Sequence, residues 1–152
     1  MPEQSSDEAL VIERFIDAPI GQVWSMWADP AQFASWYGPS GAIIATARLD
    51  VRPGGERVVA MTMQTPGGAR TMWFGGVHLE IEEPRLLVYS ESITDGDHGD
   101  AQSPVTTVRL ELAEADGGTR LRLTHVGVPP DSPGASGWTM ALDKLVAAFP
   151  LG

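Results

Sequence analysis

The chain has 152 residues, a net charge of −10 and no cysteine. This length is enough for a single domain with its own hydrophobic core. The acidic balance argues against binding to nucleic acid or to an anionic membrane surface, because both need clustered lysine and arginine. Without cysteine the chain has no disulfides, no thiol chemistry and no thiolate metal ligands.

The amino-terminal residues, MPEQSSDEAL, are polar and acidic, unlike a signal or transit peptide. No apolar run approaches the roughly 20 residues that a membrane span needs, so we expect a cytoplasmic protein. We predict a disordered tail over residues 1–8 and one domain over residues 9–150. Residues 10–16 (LVIERFI) are mostly apolar or β-branched, which predicts that the domain begins with a strand.

Two short helices are predicted next. Between Pro19 and Pro30, apolar residues recur at positions i, i+3, i+4 and i+7, which is the spacing of one helical face. Asp29 and Pro30 are the residue types of a helix N-cap and a first helical residue. They predict a second short helix that ends near Gly38.

From Ala42 onward, apolar residues alternate with polar ones, which predicts six strands joined mostly by hairpins. Glycine-rich turns lie at residues 53–55, 66–68 and 117–118. The pair Gly75-Gly76 falls in the middle of a predicted strand, where glycine indicates a bulge or a bend of the sheet.

The same alternation predicts which side chains face inward. Met61 and Met63 share one face of their strand, and on the next strand Trp73 is expected to face the same side. By that parity His78 faces the opposite side, away from His125.

The last segment, SGWTMALDKLVAAF at residues 136–149, predicts a long helix ended by Pro150. Its large apolar residues share one face: Trp138, Leu142, Leu145 and Phe149. Such a stripe needs a partner, and nearly everything before it is predicted strand. The sequence therefore predicts an α+β domain of order β-α-α-β6-α, in which one curved antiparallel sheet wraps around the C-terminal helix.

Five segments, in order over about residues 10–149, carry a family resemblance: FIDAPIGQVWSMWADPAQFASWYGP at 15–39, VRPGGERV at 51–58, WFGGVHLEIEEPRLLVYS at 73–90, VTTVRLELAEADGGTRLRLTHVG at 105–127 and GWTMALDKL at 137–145. Together they resemble the SRPBCC (START-like, helix-grip) superfamily. Within it, they are most similar to the bacterial homologues of the eukaryotic heat-shock-chaperone ATPase activator. The resemblance implies a helix-grip fold whose cavity, between sheet and long helix, takes hydrophobic small molecules.

Methionines and flat aromatic rings on the inward faces suit a pocket that accepts varied apolar shapes. The predicted ligand-binding residues are Met61, Met63, Trp73, Trp138 and Leu142, with Trp36 and Tyr37 near the mouth and Tyr89, Glu91 and His125 as polar contacts. The alternative is that the large apolar residues only fill the core. The resemblance favours the pocket.

His125 and Glu91 are the candidate catalytic residues. His125 continues the inward face of Leu121 and Leu123, and Glu91 shares a face with Tyr89. A carboxylate that orients an imidazole supports general acid–base chemistry. We prefer a simpler interpretation, in which His125 is a hydrogen-bonded core residue and Glu91 lies at the rim. The sequence contains neither a nucleophile motif nor a phosphate-binding glycine loop.

The loop over residues 94–104 is acidic. Asp95, Asp97, His98 and Asp100 loosely resemble a calcium loop, but they lack its twelve-residue frame and its closing glutamate. We therefore expect a solvated loop, with no bound metal, and we expect no cofactor elsewhere in the chain.

Our preferred hypothesis is a non-catalytic protein that binds an apolar or aromatic small molecule. One alternative is an enzyme of the polyketide cyclase/aromatase type, in which His125 or Glu91 moves protons in the same cavity. The other is a protein-interaction module, either a homodimer through a sheet edge or a chaperone regulator. The eukaryotic activators carry a separate N-terminal docking domain, whereas few residues here precede the first predicted strand, so a chaperone partner is the less favoured expectation.

Overall fold

The computed structural model describes residues 9–97 and 99–149, which include a 7-stranded antiparallel sheet. The strands are β1 (Ala9–Ile16), β2 (Ile43–Leu49), β3 (Glu56–Thr65), β4 (Gly68–Glu82), β5 (Leu86–Thr94), β6 (Thr106–Ala115) and β7 (Gly118–Val126), and the helices are α1 (Ile20–Ala28), α2 (Pro30–Ala34) and α3 (Pro133–Ala147). The order across the sheet is β1-β7-β6-β5-β4-β3-β2. The predicted α+β helix-grip architecture is confirmed, while the predicted tail at residues 1–8 lies outside the described residues.

Polar side chains set where the helices begin. The Asp29 carboxylate caps α2 as predicted, accepting hydrogen bonds from two backbone N–H groups at 2.9 and 3.1 Å. α3 begins at Pro133, earlier than the predicted Ser136. Ser132 Oγ accepts a hydrogen bond from the Ala135 N–H at 3.3 Å, and Pro133 occupies the first turn, where its missing N–H costs nothing.

The predicted orientation of β4 is wrong. Cross-strand partners share a face of a sheet, and Met61 of β3 pairs with Met72 of β4. Phe74 and His78 therefore lie on the inner face, the one that α3 covers, whereas Trp73 lies on the outer face. Because β4 carries apolar side chains on both faces, the alternation of hydrophobicity does not identify the inner one.

The C-terminal half of α3 closes the core against the sheet. Leu142 and Leu145 are fully buried, together with Leu110 of β6 and with Leu121 and Leu123 of β7. Each buried side chain of this size contributes about 1.5–3 kcal/mol, so this cluster fixes the helix on the sheet. Within the part of the chain that the structure describes, no helix has the length and hydropathy to cross a membrane.

Candidate ligand-binding cavity

A cavity of about 640 Å³ lies between the inner face of the sheet and the N-terminal half of α3. Its mouth exposes two large apolar side chains, since Met72 and Ile93 are 43% and 37% exposed. The predicted ligand-binding residues that line the cavity are Tyr37, Met61, Met63, Glu91, His125 and Trp138.

Glycine keeps the cavity open. Gly137 lines it from α3, and a Cβ built there would meet nothing within 4 Å. Gly38 lines it from the segment after α2 with a φ of +87°, and a Cβ there would come within 2.8 Å of Met61 Sδ. At Gly38, the absence of a side chain allows the left-handed backbone conformation and leaves room for Met61. At Gly137, it leaves part of the cavity unfilled.

The other predicted residues lie outside the cavity wall. The Trp36 indole N–H donates to the Met26 carbonyl at 2.8 Å, inside the core. Leu142 is fully buried in the closed part of the core, and Tyr89 is fully buried beneath an arginine side chain. Trp73 points to the opposite side of the sheet. The predicted alignment of Trp73 with the two methionines is therefore incorrect.

That arginine, Arg57, was not among the residues predicted from the sequence. Its side chain is 2% exposed, and its Nη1 donates to Glu91 Oε2 at 2.9 Å. The guanidinium carbon lies 3.9 Å from the ring centre of Tyr89 and 5.1 Å from that of Phe33, an arrangement that stabilises the cation. Gly76, the partner of Arg57 on the intervening strand, has no side chain, so the ion pair can span β4.

Burial shifts the pKa values of the groups around this ion pair. Burial raises the pKa of Tyr37 well above its ordinary value, and the Glu91 charge adds to that effect while Arg57 opposes it. Burial also raises the pKa of Tyr89. Burial opposes the charge of Arg57, but the surrounding groups outweigh it and raise its pKa. At neutral pH the two phenols are therefore protonated and the arginine is charged.

Two hydrogen bonds fix the tautomer of His125. The Trp138 indole N–H, which can only donate, lies 3.0 Å from Nδ1 of the imidazole. Nε2 therefore carries the proton and donates to Thr106 Oγ1 at 2.7 Å, and that hydroxyl donates onward to the main-chain oxygen of Glu91 at 3.1 Å. Burial lowers the pKa of His125 despite the opposing effect of Glu91, so the ring is neutral at neutral pH.

The carboxylate–imidazole pair that the catalytic hypothesis requires is not formed. Glu91 and His125 both line the cavity, but the Glu91 carboxylate bonds to Arg57, whereas the imidazole bonds to Trp138 and Thr106. The lone pair on His125 Nδ1 accepts the hydrogen bond from Trp138. The imidazole therefore has no free lone pair that could accept a proton from a substrate. The arrangement holds the indole over the cavity, and catalysis by His125 or Glu91 stays the less favoured hypothesis.

His78 and the acidic loop lie apart from this arrangement. His78 is buried on the inner face, contrary to the predicted outward orientation, and its Nδ1 lies 3.3 Å from the Gly55 carbonyl oxygen. In the loop, Asp97 forms an ion pair with Arg48. His98 lies outside the described residues, so the expectation of a metal-free loop stays a prediction.

A curved antiparallel sheet that grips a C-terminal helix defines a helix-grip protein. Residues 17–150 match the model of the family described as "Activator of Hsp90 ATPase homolog 1-like protein". The chain belongs to this family, as the resemblance of its segments implied. A comparison with curated proteins finds no significant match.

Solved structures share the fold at low sequence identity. Protein Ms6760 from Mycobacterium smegmatis is 23% identical with a TM-score of 0.81, over 99% of this chain and 96% of that one. CV1439 from Chromobacterium violaceum is 23% identical with a TM-score of 0.80, over 95% and 99%. The AHSA1 protein SPO3351 from Silicibacter pomeroyi is 23% identical with a TM-score of 0.72, over 92% and 96%. These similarities establish the fold.

Proposed function

We propose that this protein binds an apolar small molecule, without catalysing a reaction, in the cavity between the sheet and α3. The observation that carries the proposal is the cavity itself. Its volume of about 640 Å³ lies inside the range of about 300–1,000 Å³ that is typical of small-molecule sites. Its wall is largely apolar and its mouth is open to solvent, so a small apolar molecule can enter and bury its surface away from water.

The side chains of the wall suit such an occupant. Met61, Met63 and Met72 line the cavity, and their unbranched thioethers adapt to differently shaped apolar surfaces. On the helix side, Trp138 supplies a flat ring whose orientation is held by its hydrogen bond to His125. A flexible wall facing a fixed aromatic ring favours flat, hydrophobic ligands over strongly polar ones.

The hydrogen bonds of the wall favour binding over proton transfer. The Nδ1 lone pair of His125 and one oxygen of Glu91 are bonded to other side chains. A general base needs a free lone pair within hydrogen-bond reach of the substrate. With His125 as the base, the cyclase-like alternative requires its bond to Trp138 to break on substrate binding, whereas a carrier or sensor needs no such rearrangement.

Filling the cavity tests the proposal. In Gly137→Phe the new ring would occupy the space beside the helix, whereas Gly21→Phe places the same ring on the exposed face of α1, where a Cβ also meets nothing within 4 Å. Calorimetric titration with 2-naphthol should give saturable binding with a negative heat-capacity change in the wild-type protein and in Gly21→Phe, and none in Gly137→Phe. Equal binding in both variants would contradict the proposal, as would a wild-type protein that binds neither 2-naphthol nor its ether 2-methoxynaphthalene.

A further inference from the structure

The polar side chains of the cavity wall differ in how fully they are hydrogen-bonded. His125 and Thr106 bond to each other and to their neighbours, and Ser103 Oγ accepts a backbone N–H at 2.8 Å. Glu91 differs. Arg57 donates to its Oε2 at 2.9 Å, whereas its Oε1 has no hydrogen-bond partner within residues 9–97 and 99–149. Because Glu91 lines the cavity, this oxygen is an acceptor that the protein leaves for an occupant.

We propose that the bound molecule is neutral and carries a hydroxyl group, as a phenol or an alcohol does, which donates a hydrogen bond to Glu91 Oε1. This inference rests on the proposed function and names the polar group of its ligand. A ligand without a donor would displace water from this carboxylate oxygen and leave it unpaired, which is costly for a charged group. A ligand with an ionised carboxylate or a ketone offers only hydrogen-bond acceptors, so it would also leave Glu91 Oε1 unpaired.

Charge distinguishes a hydroxyl from the ionic alternatives. A ligand carboxylate would bring a second anion next to Glu91, in a chain whose net charge is −10. An ammonium group would meet a pair that is already neutral, because Arg57 compensates the Glu91 charge and repels another cation. A hydroxyl avoids both problems and also accepts one hydrogen bond, which the protonated Tyr37 hydroxyl in the same wall can donate.

A series of compounds on one scaffold tests this inference with the wild-type protein. The probes are 2-naphthol, its donor-free ether 2-methoxynaphthalene, the anion 2-naphthoate and the cation 2-naphthylmethylammonium, titrated by calorimetry at neutral pH. We expect 2-naphthol to bind at least about tenfold more tightly than each of the others. Equal binding of the ether, or tighter binding of either ion, would overturn the hydroxyl assignment while leaving the proposed function standing. If no compound binds, both fail.

A matched pair of variants tests whether Glu91 Oε1 is the atom that accepts the hydrogen bond from the ligand hydroxyl. Glu91→Gln keeps the size of the side chain, but its amide can accept from Arg57 only by turning its NH₂ group toward the cavity. The preference for 2-naphthol over its ether should then fall to less than about threefold, and 2-naphthoate should gain affinity. Glu80→Gln removes the same charge from an exposed position on β4 and should keep the wild-type preference. An unchanged preference in folded Glu91→Gln would overturn the assignment, and if that variant does not fold, the wild-type series decides alone.

Discussion

The two halves of α3 cover the same sheet in different ways. In the C-terminal half, Leu142 and Leu145 are fully buried and close the core. In the N-terminal half, Pro133, Gly134 and Gly137 line the cavity, and Trp138 is the largest side chain that this half contributes there. The difference shows that side-chain volume along a single helix determines where the core ends and where the cavity begins.

The two ends of the inner face also differ in polarity. The closed end is built from leucines, while the cavity end contains the Arg57–Glu91 ion pair and the hydrogen bond between Trp138 and His125. Buried ion pairs contribute little net stability, because desolvation offsets most of the attraction. Polar groups that are costly to bury therefore lie at the loosely packed end of the inner face. This is expected of a binding site and not of a hydrophobic core.

Deleting apolar volume at the two ends should have unequal effects. Leu142→Ala removes a fully buried side chain from the closed end and should lower the free energy of unfolding by about 2–5 kcal/mol. Met63→Ala removes a half-buried side chain that already borders the cavity, so its cost should be well below that of Leu142→Ala. Urea denaturation of both variants measures the difference, and equal losses would mean that the cavity end is packed as tightly as the core.

Adding a methyl group should destabilise the protein at a closely packed glycine but not at a glycine that borders the cavity. Away from the cavity, at the start of β7, a Cβ on Gly118 would lie 2.5 Å from the Ile16 carbonyl oxygen and 2.7 Å from Phe15 Cζ, so Gly118→Ala should destabilise by about 1–3 kcal/mol. Gly137→Ala adds a Cβ where nothing lies within 4 Å and should stabilise by up to about 1 kcal/mol through helix propensity. Thermal unfolding checks both signs, and a loss in Gly137→Ala would argue against an open space beside α3.

A smaller effect is expected on acidification. Burial lowers the pKa of His125 in the folded protein, so the unfolded chain binds a proton more readily than the folded one. The free energy of unfolding should therefore fall as the pH drops below the ordinary histidine pKa of about 6.5, and this contribution should level off below the folded-state pKa. His78 has a pKa lowered by burial as well, so part of the dependence should survive in His125→Gln.

Urea midpoints between pH 7.5 and 5.5 measure this dependence. The slope should be smaller in His125→Gln than in the wild-type protein, because the glutamine amide does not titrate. An identical slope in both proteins would show that His125 does not contribute to the pH dependence.

The element order and several inner faces could be predicted from the sequence. On β7, Leu121 and His125 share a face against the charged Arg120 and Arg122, so hydrophobicity identifies the inner face. On β4, Val77 and Leu79 are 39% and 50% exposed, and alternation therefore indicated the wrong face. A register shift between His78 and Glu80 further breaks the period of that strand.

The polar part of the site was predicted less well than its apolar part. Arg57 was overlooked because an arginine is usually exposed, although its parity with Met61 places it on the inner face. Its partner Glu91 is 34 residues away in the chain and two strands away in the sheet, and sequence spacing gives no sign of a contact across an intervening glycine. The His125–Trp138 bond likewise depends on how α3 crosses the sheet, which the helical period does not specify.

The most direct test of the central claim is to observe the tryptophan indole N–H signals by two-dimensional NMR during titration with 2-naphthol. Trp138 lines the cavity, and Trp73, on the outer face of the sheet, serves as an internal control. We expect a saturable shift of the Trp138 signal, identified with Trp138→Phe, while the Trp73 signal stays in place. A shift confined to Trp73, or no shift of Trp138 at saturating ligand, would contradict the assignment of the cavity as the binding site.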